Sequence, residues 1–408
     1  MAIEESTITI ILLFVGSFLM IITLEPIYRD QLYEASVDLI IEIQSKTNQI
    51  LIYFMETVSN LAIVTMFASM IVTYIFSKRS RAFYYTAAVC FNLYMMSIGK
   101  MAYHNPRPYM VSDAIQVFGC SKEFGHPSGH TFSSSAILLI IMWDICSSQS
   151  NKRIKSIIKV ITVINILLIG FSRLHNGDHT LDQIFLGWEF GVWQACLFNY
   201  ALKEPLMNHI NRIITTKVST SEFTRYCLIS TLMFFGALVS IVQTYEYVEM
   251  TFKVPDDWRQ RLDQKCHVPA DDVMTFNSAS FVQAGTFTIA YTGYIGSLFL
   301  GQYNIPVITH TLRKIILLVI LALPGLGSSE YGLKQTEPYI ALIFVTLLPC
   351  LYFGVVMYFL IDYISGDYFT YQVNHQPQNL EKSLIIQNHM ISLQSQQNIQ
   401  VYYGNMMV

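Results

Sequence analysis

Charged residues are scarce in this sequence. Of its 408 residues only 13% are Asp, Glu, Lys or Arg, whereas a soluble domain usually carries about 25%. A net charge of -3 leaves no basic excess that would attract nucleic acid, so we expect no nucleic-acid partner. The seven cysteines show no Cys-x-x-Cys pair and no zinc-ligand spacing, which argues against structural zinc and redox motifs. What the chain has instead is hydrophobic residues, at 53%. Together these numbers indicate a polytopic membrane protein.

Ten apolar runs predict membrane spans, since a bilayer requires roughly 20 mostly apolar residues. We place the spans at residues 7–24, 59–76, 82–98, 131–145, 156–171, 184–202, 226–243, 281–300, 315–326 and 339–361. The first run follows no basic region and precedes no small-residue cleavage site, so we expect a retained span rather than a signal peptide. The predicted fold class is therefore all-α, a polytopic membrane helical bundle.

Basic residues alternate between the predicted loops. Lys and Arg cluster after the second, fourth, sixth and eighth spans. The positive-inside rule then places these loops and both termini on the cytosolic face. The opposite face carries residues 100–130, 172–183 and the acidic loop 244–280. Between the first two spans, apolar residues at helical spacing over 33–51 predict an amphipathic helix on the membrane surface.

Three polar stretches meet on the predicted non-cytosolic face. The first holds Lys100 and Arg107, directly after the third span. The second is Pro-Ser-Gly-His at 127–130, where the fourth span begins. The third runs from Arg173 to His179, directly after the fifth span. Ser and Gly at a helix N-terminus leave backbone N–H groups free, and the helix dipole adds positive charge there. Cations that converge on such a point predict a phosphate site.

The order of these motifs resembles the type 2 phosphatidic acid phosphatase superfamily, which includes lipid phosphate phosphatases and glucose-6-phosphatase. The matching pattern is Lys-(six residues)-Arg-Pro, then Pro-Ser-Gly-His, then Ser-Arg-(five residues)-His, across about residues 82–202. The resemblance implies that His179 is the nucleophile and forms a phosphohistidine. It implies that His130 protonates the leaving group and later activates water. The implied phosphate-binding residues are Lys100, Arg107, Ser128, Gly129 and Arg173. We expect no metal or other cofactor, because cationic side chains supply the charge.

The third motif departs from the family at one position. The family has an acid four residues after the nucleophilic histidine, and that acid orients the ring. Here Gln183 takes that position, and Asp182 lies one residue earlier. Gln183 can accept a hydrogen bond from His179 without stabilising an imidazolium by charge. If Asp182 reaches His179 instead, it restores the acid; if neither residue serves, we expect phosphate binding with slow turnover.

Two functions remain open at this point. The first is an integral-membrane, metal-independent phosphatase that hydrolyses a phosphomonoester or pyrophosphate at the non-cytosolic face. A lipid phosphate is the favoured substrate, a soluble sugar phosphate is the alternative, and the endoplasmic reticulum or another internal membrane is the favoured location. The second function is a catalytically weak or inactive subunit with a structural or lipid-binding role in a larger membrane complex. A transporter is a weaker third idea, because no paired broken helices occur in matching halves.

The motifs also suggest a division of the chain into four regions. The predicted regions are N-terminal spans with the amphipathic helix (1–81), a phosphatase core (82–202), an accessory bundle with the acidic loop (203–365) and a polar Gln- and Asn-rich tail (366–408).

Cys120 and Cys266 both fall on the non-cytosolic face. If that face is oxidising, we expect a disulfide that ties the acidic loop over the site. Glu189, within the sixth span, is either functional or a paired acid in helix packing.

Overall fold

The computed structural model describes residues 5–269, 271–333 and 337–365, and within these ranges the chain is helical without strands. The helices are α1 (Glu5–Ser45), α2 (Gln49–Phe76), α3 (Arg79–Tyr103), α4 (Pro108–Val111), α5 (Gly129–Ser148), α6 (Lys152–His175), α7 (Leu181–Cys196), α8 (Lys203–Thr215), α9 (Thr220–Thr251), α10 (Asp256–Cys266), α11 (Phe276–Ala284), α12 (Thr288–Gln302), α13 (Thr311–Leu333), α14 (Pro338–Ala341), α15 (Leu348–Val355) and α16 (Ile361–Ser365). Short π or 3-10 turns join α7 to α8, α11 to α12, and α14 through α15 to α16. The predicted all-α membrane bundle is confirmed.

Six of the helical segments are long and apolar enough to cross a bilayer. They are α1, α2, α5, α6, α9 and the rod formed by Pro338–Ser365. Each of them contains one of the predicted spans. The other four predicted spans also fall in helices, namely α3, α7 with its π turn, α11 with α12, and α13. Length and hydropathy do not single these four out, so the total of ten spans stays a prediction.

The start of the chain differs from the prediction. One continuous helix of 41 residues, α1, replaces the separate span and the surface helix. Pro26 removes one backbone donor inside α1 but does not end it. The apolar face of the second half packs against protein rather than lipid, since Ile40 is fully buried beside Leu174 and Ile184. Helical periodicity reveals an apolar face but not which partner covers it, and this is why the sequence suggested a membrane surface.

The packing of α5 against α7 positions the motifs. A Cβ on Gly187 would lie 2.7 Å from the carbonyl oxygen of Ser128, and a Cβ on Gly191 would lie 2.7 Å from that of Phe132. Only glycine permits an approach this close. The second turn of α7 consequently lies against the start of α5, where the Pro-Ser-Gly-His motif is.

The second half of the chain packs on the outside of this core. Residues 203–215, predicted as part of a basic loop, form α8, which lies against α3 and α12. α12 packs closely on α15 through Gly354, and α10 lies against α4. α13 continues through Pro324 without ending there. The predicted tail, 366–408, lies outside the described residues, and the division of the chain into four regions stays a prediction.

Candidate active site

The three motifs come together at one end of the bundle. Lys100 lies in the last turn of α3, Gly129 begins α5, and Arg173 lies in the last turn of α6. Backbone hydrogen bonds join the connecting loops: Ser128 N donates to the carbonyl oxygen of Gln183 at 2.9 Å, and Gly125 N donates to that of Asn105 at 2.9 Å. Residues predicted from separate stretches of sequence therefore surround one point.

His179 is fully buried at this point and is held at both ring nitrogens. Gln183 Nε2 donates to the Pro106 carbonyl at 2.8 Å, which turns its amide oxygen toward His179 Nδ1 at 2.9 Å. Nδ1 therefore carries the proton, since an amide oxygen only accepts. Nε2 is left unprotonated, 3.0 Å from Arg107 Nη1. Burial and the neighbouring positive charges, led by Arg107, hold the pKa of His179 well below its usual range. A neutral imidazole with an unprotonated Nε2 is the form required of a nucleophile.

Glu123 binds two of the predicted phosphate ligands, and the sequence did not single it out. Its Oε1 lies 2.6 Å from Lys100 Nζ and 3.0 Å from Arg107 Nη2. Arg107 Nε also donates to the Glu123 carbonyl at 2.9 Å. Burial alone raises the pKa of the Glu123 carboxyl, but Lys100 and Arg107 outweigh it and lower that pKa. An ionised carboxylate thus lies between two cations, in the way a phosphate oxygen would. In the sequence, the only hint of this role is the position of Glu123 in a polar loop between two motifs.

Arg173 is fixed by two residues that were also missed. Its guanidinium donates to Ser59 Oγ on α2 and forms an ion pair with Asp178 at 2.9 Å. The chain reverses at Gly177, whose φ of 72° suits glycine, and this turn brings Asp178 back toward Arg173. Burial raises the pKa of Asp178, against the opposing effect of Arg173. Arg173 is therefore a buried, oriented cation beside the histidine.

The start of α5 offers neutral donors next to these charges. A Cβ at Gly129 would lie 3.7 Å from Lys100 Nζ, so the ammonium group lies at the N-terminus of α5. Ser128 Oγ is buried and has no hydrogen-bond partner among the described residues. His130 is half-buried and subject to the charges of Arg173, Lys100 and Arg107. It makes no hydrogen bond within the described chain, so its imidazole is available to exchange a proton.

Asp182 faces His126 rather than His179. Of the two alternatives left open by the sequence, it is therefore Gln183 that contacts His179. Asp182 Oδ2 is 3.4 Å from Nδ1 of His126, whose Nε2 is 3.0 Å from Glu25 Oε1. All three side chains are buried. Burial lowers the pKa of His126, but Asp182 and Glu25 reverse the effect and raise it overall. The cluster joins α1 and α7 to the loop before Pro-Ser-Gly-His.

The structure also bears on Glu189 and on the predicted disulfide. Glu189 accepts a hydrogen bond from Tyr28 on α1 at 2.6 Å, which favours the paired acid in helix packing. Cys120 and Cys266 form the expected disulfide. Because α10 packs on α4, the bond fixes part of the acidic loop beside the first motif.

Part of this chain resembles proteins that are already known. Residues 81–205 match the model of the PAP2 superfamily, which confirms the resemblance read from the motifs over 82–202. Among solved structures, one that is similar is a transmembrane PAP2-type phosphatidylglycerolphosphate phosphatase from Bacillus subtilis. The identity is 17% and the TM-score 0.37, and the match covers 45% of this chain and 93% of that one. No curated protein matches the chain.

Proposed function

Since residues 81–205 match the PAP2 superfamily, we propose that this protein is an integral-membrane phosphatase that hydrolyses a phosphomonoester or pyrophosphate through a phosphohistidine. The observation that carries the proposal is the state of His179. Gln183 holds its Nδ1 proton, and its Nε2 lone pair faces Arg107. A histidine that merely stabilised the fold would not need an unprotonated nitrogen directed at a buried cation.

The first chemical step begins when the substrate phosphate displaces Glu123 from Lys100 and Arg107. Nε2 of His179 then attacks phosphorus, and the bond from phosphorus to the leaving oxygen breaks. His130 donates a proton to that oxygen, so the product leaves as an alcohol, or as a phosphate from a pyrophosphate. The cations and the N-terminus of α5 stabilise the charge on the transferring group. The imidazolium that forms keeps its proton on Nδ1, where it donates a hydrogen bond to the amide oxygen of Gln183.

The second step returns the enzyme to its starting state. His130, now deprotonated, takes a proton from water as the water oxygen attacks the phosphorus of the phosphohistidine. The bond between phosphorus and Nε2 breaks, and inorganic phosphate leaves with neutral His179 restored. In both steps Lys100, Arg107 and Arg173 stabilise the negative charge on the phosphoryl group. The scheme requires no metal or cofactor.

The position of the site favours a lipid phosphate as substrate. Gly129 begins a helix that is apolar enough to span a bilayer, and the phosphate site surrounds its first turn. A phosphate bound there lies at the boundary between water and the apolar part of the membrane, where a lipid presents its headgroup. We place this boundary on the non-cytosolic face, as the basic loops predict. We favour an internal membrane as its location.

A specific observation favours a second candidate function. Glu123 forms ion pairs with two cations of the site, and Gln183 gives His179 no charged partner. Both features suit a weak or inactive phosphatase fold that serves as a structural or lipid-binding subunit of a larger complex.

The deciding experiment is phosphate release by the purified full-length protein in detergent with a chelator present. The substrates are phosphatidate, sphingosine phosphate, a polyprenyl diphosphate and glucose 6-phosphate. His179→Ala tests the nucleophile, and His310→Ala, an exposed histidine outside the site, is its matched control. Phosphate release that persists with the chelator and in the His310→Ala variant, but is lost in the His179→Ala variant, supports the phosphatase. The substrate that is hydrolysed best then defines its class. Absence of release from well-folded protein favours the subunit.

A further inference from the structure

A second cationic cavity lies at the far end of α3 from the candidate active site. Arg79 and Lys100 are 21 residues apart on this helix, which corresponds to about 31 Å at the α-helical rise. The cavity has a volume of about 580 Å3 and lies where α2 ends and where α3 and α13 begin, with α8 at its side. This volume suits a small-molecule ligand. The basic loops predict that this end faces the cytosol.

The lining is cationic. It includes Lys78, Arg79 and Lys314, and no Asp or Glu occurs among the described residues that line it. The charge of Arg79 is already matched, because its Nη2 lies 2.6 Å from Asp362 Oδ2. The other oxygen of Asp362 accepts a hydrogen bond from Ile308 N. Lys78 and Lys314 therefore remain as the charges available to a ligand.

Lys314 is the residue that points to a bound anion. It is 94% buried, yet its ammonium group makes neither an ion pair nor a hydrogen bond within the described part of the chain. The Tyr74 ring centroid lies 5.9 Å from its ammonium group. The carboxylate that attracts this group, Asp362, is already bound to Arg79 and to Ile308 N. A buried ammonium without a partner is unfavourable. An anion in the cavity would supply the missing partner.

Two helix N-termini add donors at the same place. α3 begins at Arg79 with no side-chain cap, and α13 begins at Thr311; residues of both first turns line the cavity. The first N–H groups of a helix have no partner within it, and the dipole makes this end positive. The hydroxyls of Thr309 and Thr311 lie in the same lining. Lysine ammonium, hydroxyl and free N–H groups together are the chemistry that binds phosphate.

We propose that this cavity is a second phosphate-binding site, separate from the catalytic centre. Its ligand is a phosphate group, carried either by the headgroup of a membrane lipid in the facing leaflet or by a soluble phosphate compound. The phosphate pairs with Lys314 in the interior and with Lys78 at the mouth, and the N-termini of α3 and α13 contribute neutral donors. This site does not depend on whether the protein hydrolyses phosphate.

The test uses the full-length protein carrying Arg107→Gln, which weakens phosphate binding at the candidate active site. Inorganic phosphate is the soluble probe, in equilibrium dialysis, and dioctanoyl phosphatidic acid is the lipid probe, in native mass spectrometry. We expect one ligand to remain bound. Adding Lys314→Met should weaken its binding at least about tenfold, because it removes a charge-assisted contact, whereas Lys314→Arg should retain it. Lys152→Gln, an exposed lysine at the same end of the bundle, is the matched control and should have no effect.

The outcomes separate the ligand sources and test the site. Lys314-dependent binding of inorganic phosphate identifies a soluble ligand, and binding of phosphatidic acid alone identifies a headgroup. Lys78→Glu, at an exposed position, should also weaken binding, and this variant replaces Lys314→Met in the test if Lys314→Met does not fold. The proposal is overturned if the Arg107→Gln protein binds neither probe. It is equally overturned if both lysine variants bind as tightly as that parent.

Discussion

The amide oxygen of Gln183 lies 2.9 Å from Nδ1 of His179 and accepts its proton, in the position where the family's pattern has an acid. The amide nitrogen is bound to the Pro106 carbonyl, so the side chain is locked in one orientation. Gln183 therefore fixes the tautomer as a carboxylate would. The amide differs in carrying no negative charge to balance the imidazolium that forms when Nε2 is phosphorylated.

Replacing the amide with an acid should raise activity. We expect Gln183→Asp to increase kcat about tenfold if formation of the imidazolium limits turnover, since a charge-assisted hydrogen bond is roughly twice as strong as a neutral one. Gln183→Leu leaves Nδ1 unpaired and should lower kcat by about tenfold or more. Steady-state kinetics on the best substrate measure both effects. Equal rates in all three proteins would mean that position 183 does not orient the nucleophile.

Glu123 should compete with the substrate phosphate for Lys100 and Arg107. We expect Glu123→Gln to lower KM, because the substrate no longer displaces a carboxylate. The same change should destabilise the fold by about 3–5 kcal/mol, the usual cost of leaving buried charges without their partner. Kinetics and thermal unfolding measure the two effects, with the exposed Glu34→Gln as a matched control. A higher KM would instead show that Glu123 orients the two cations for substrate binding.

The cluster around His126 should make stability depend on pH. Although burial opposes it, Asp182 and Glu25 raise the pKa of His126 above its unfolded value of about 6.5. Folding therefore favours the protonated ring. The resulting stability is fully present below about pH 6.5 and is lost as the pH rises through the higher folded pKa. The ring centroid of His126 also lies 4.6 Å from that of Tyr103, and Arg29 Nε lies 3.7 Å from Glu25 Oε1, the same oxygen that faces His126.

Thermal unfolding from pH 6 upward measures this effect, with His126→Gln for comparison. The parent should lose stability across the range relative to the variant, which keeps a polar side chain but cannot be protonated. Parallel curves for the two proteins would show that His126 does not gain a proton on folding.

The motifs and the fold were predictable, whereas the groups that complete the site were not. Order and spacing placed Lys100, Arg107 and His179 at the end of one bundle. The choice between Asp182 and Gln183 depends on helix geometry: adjacent residues in a helix point about 100° apart, so only one of them can face His179. Glu123 reaches its partners through loop structure, which no local pattern in the sequence encodes.

The disulfide between Cys120 and Cys266 provides a test of the predicted orientation. The structure leaves five of the seven cysteines free. Protein isolated without reductant should therefore show five thiols after denaturation, rising to seven after reduction. We expect Cys266→Ser to destabilise the protein by about 2–4 kcal/mol, because the bond closes a long stretch of chain, and Cys227→Ser to have little effect. Seven thiols before reduction would mean that this face is exposed to a reducing compartment. The candidate active site would then face the cytosol, and the orientation inferred from the basic loops would be reversed.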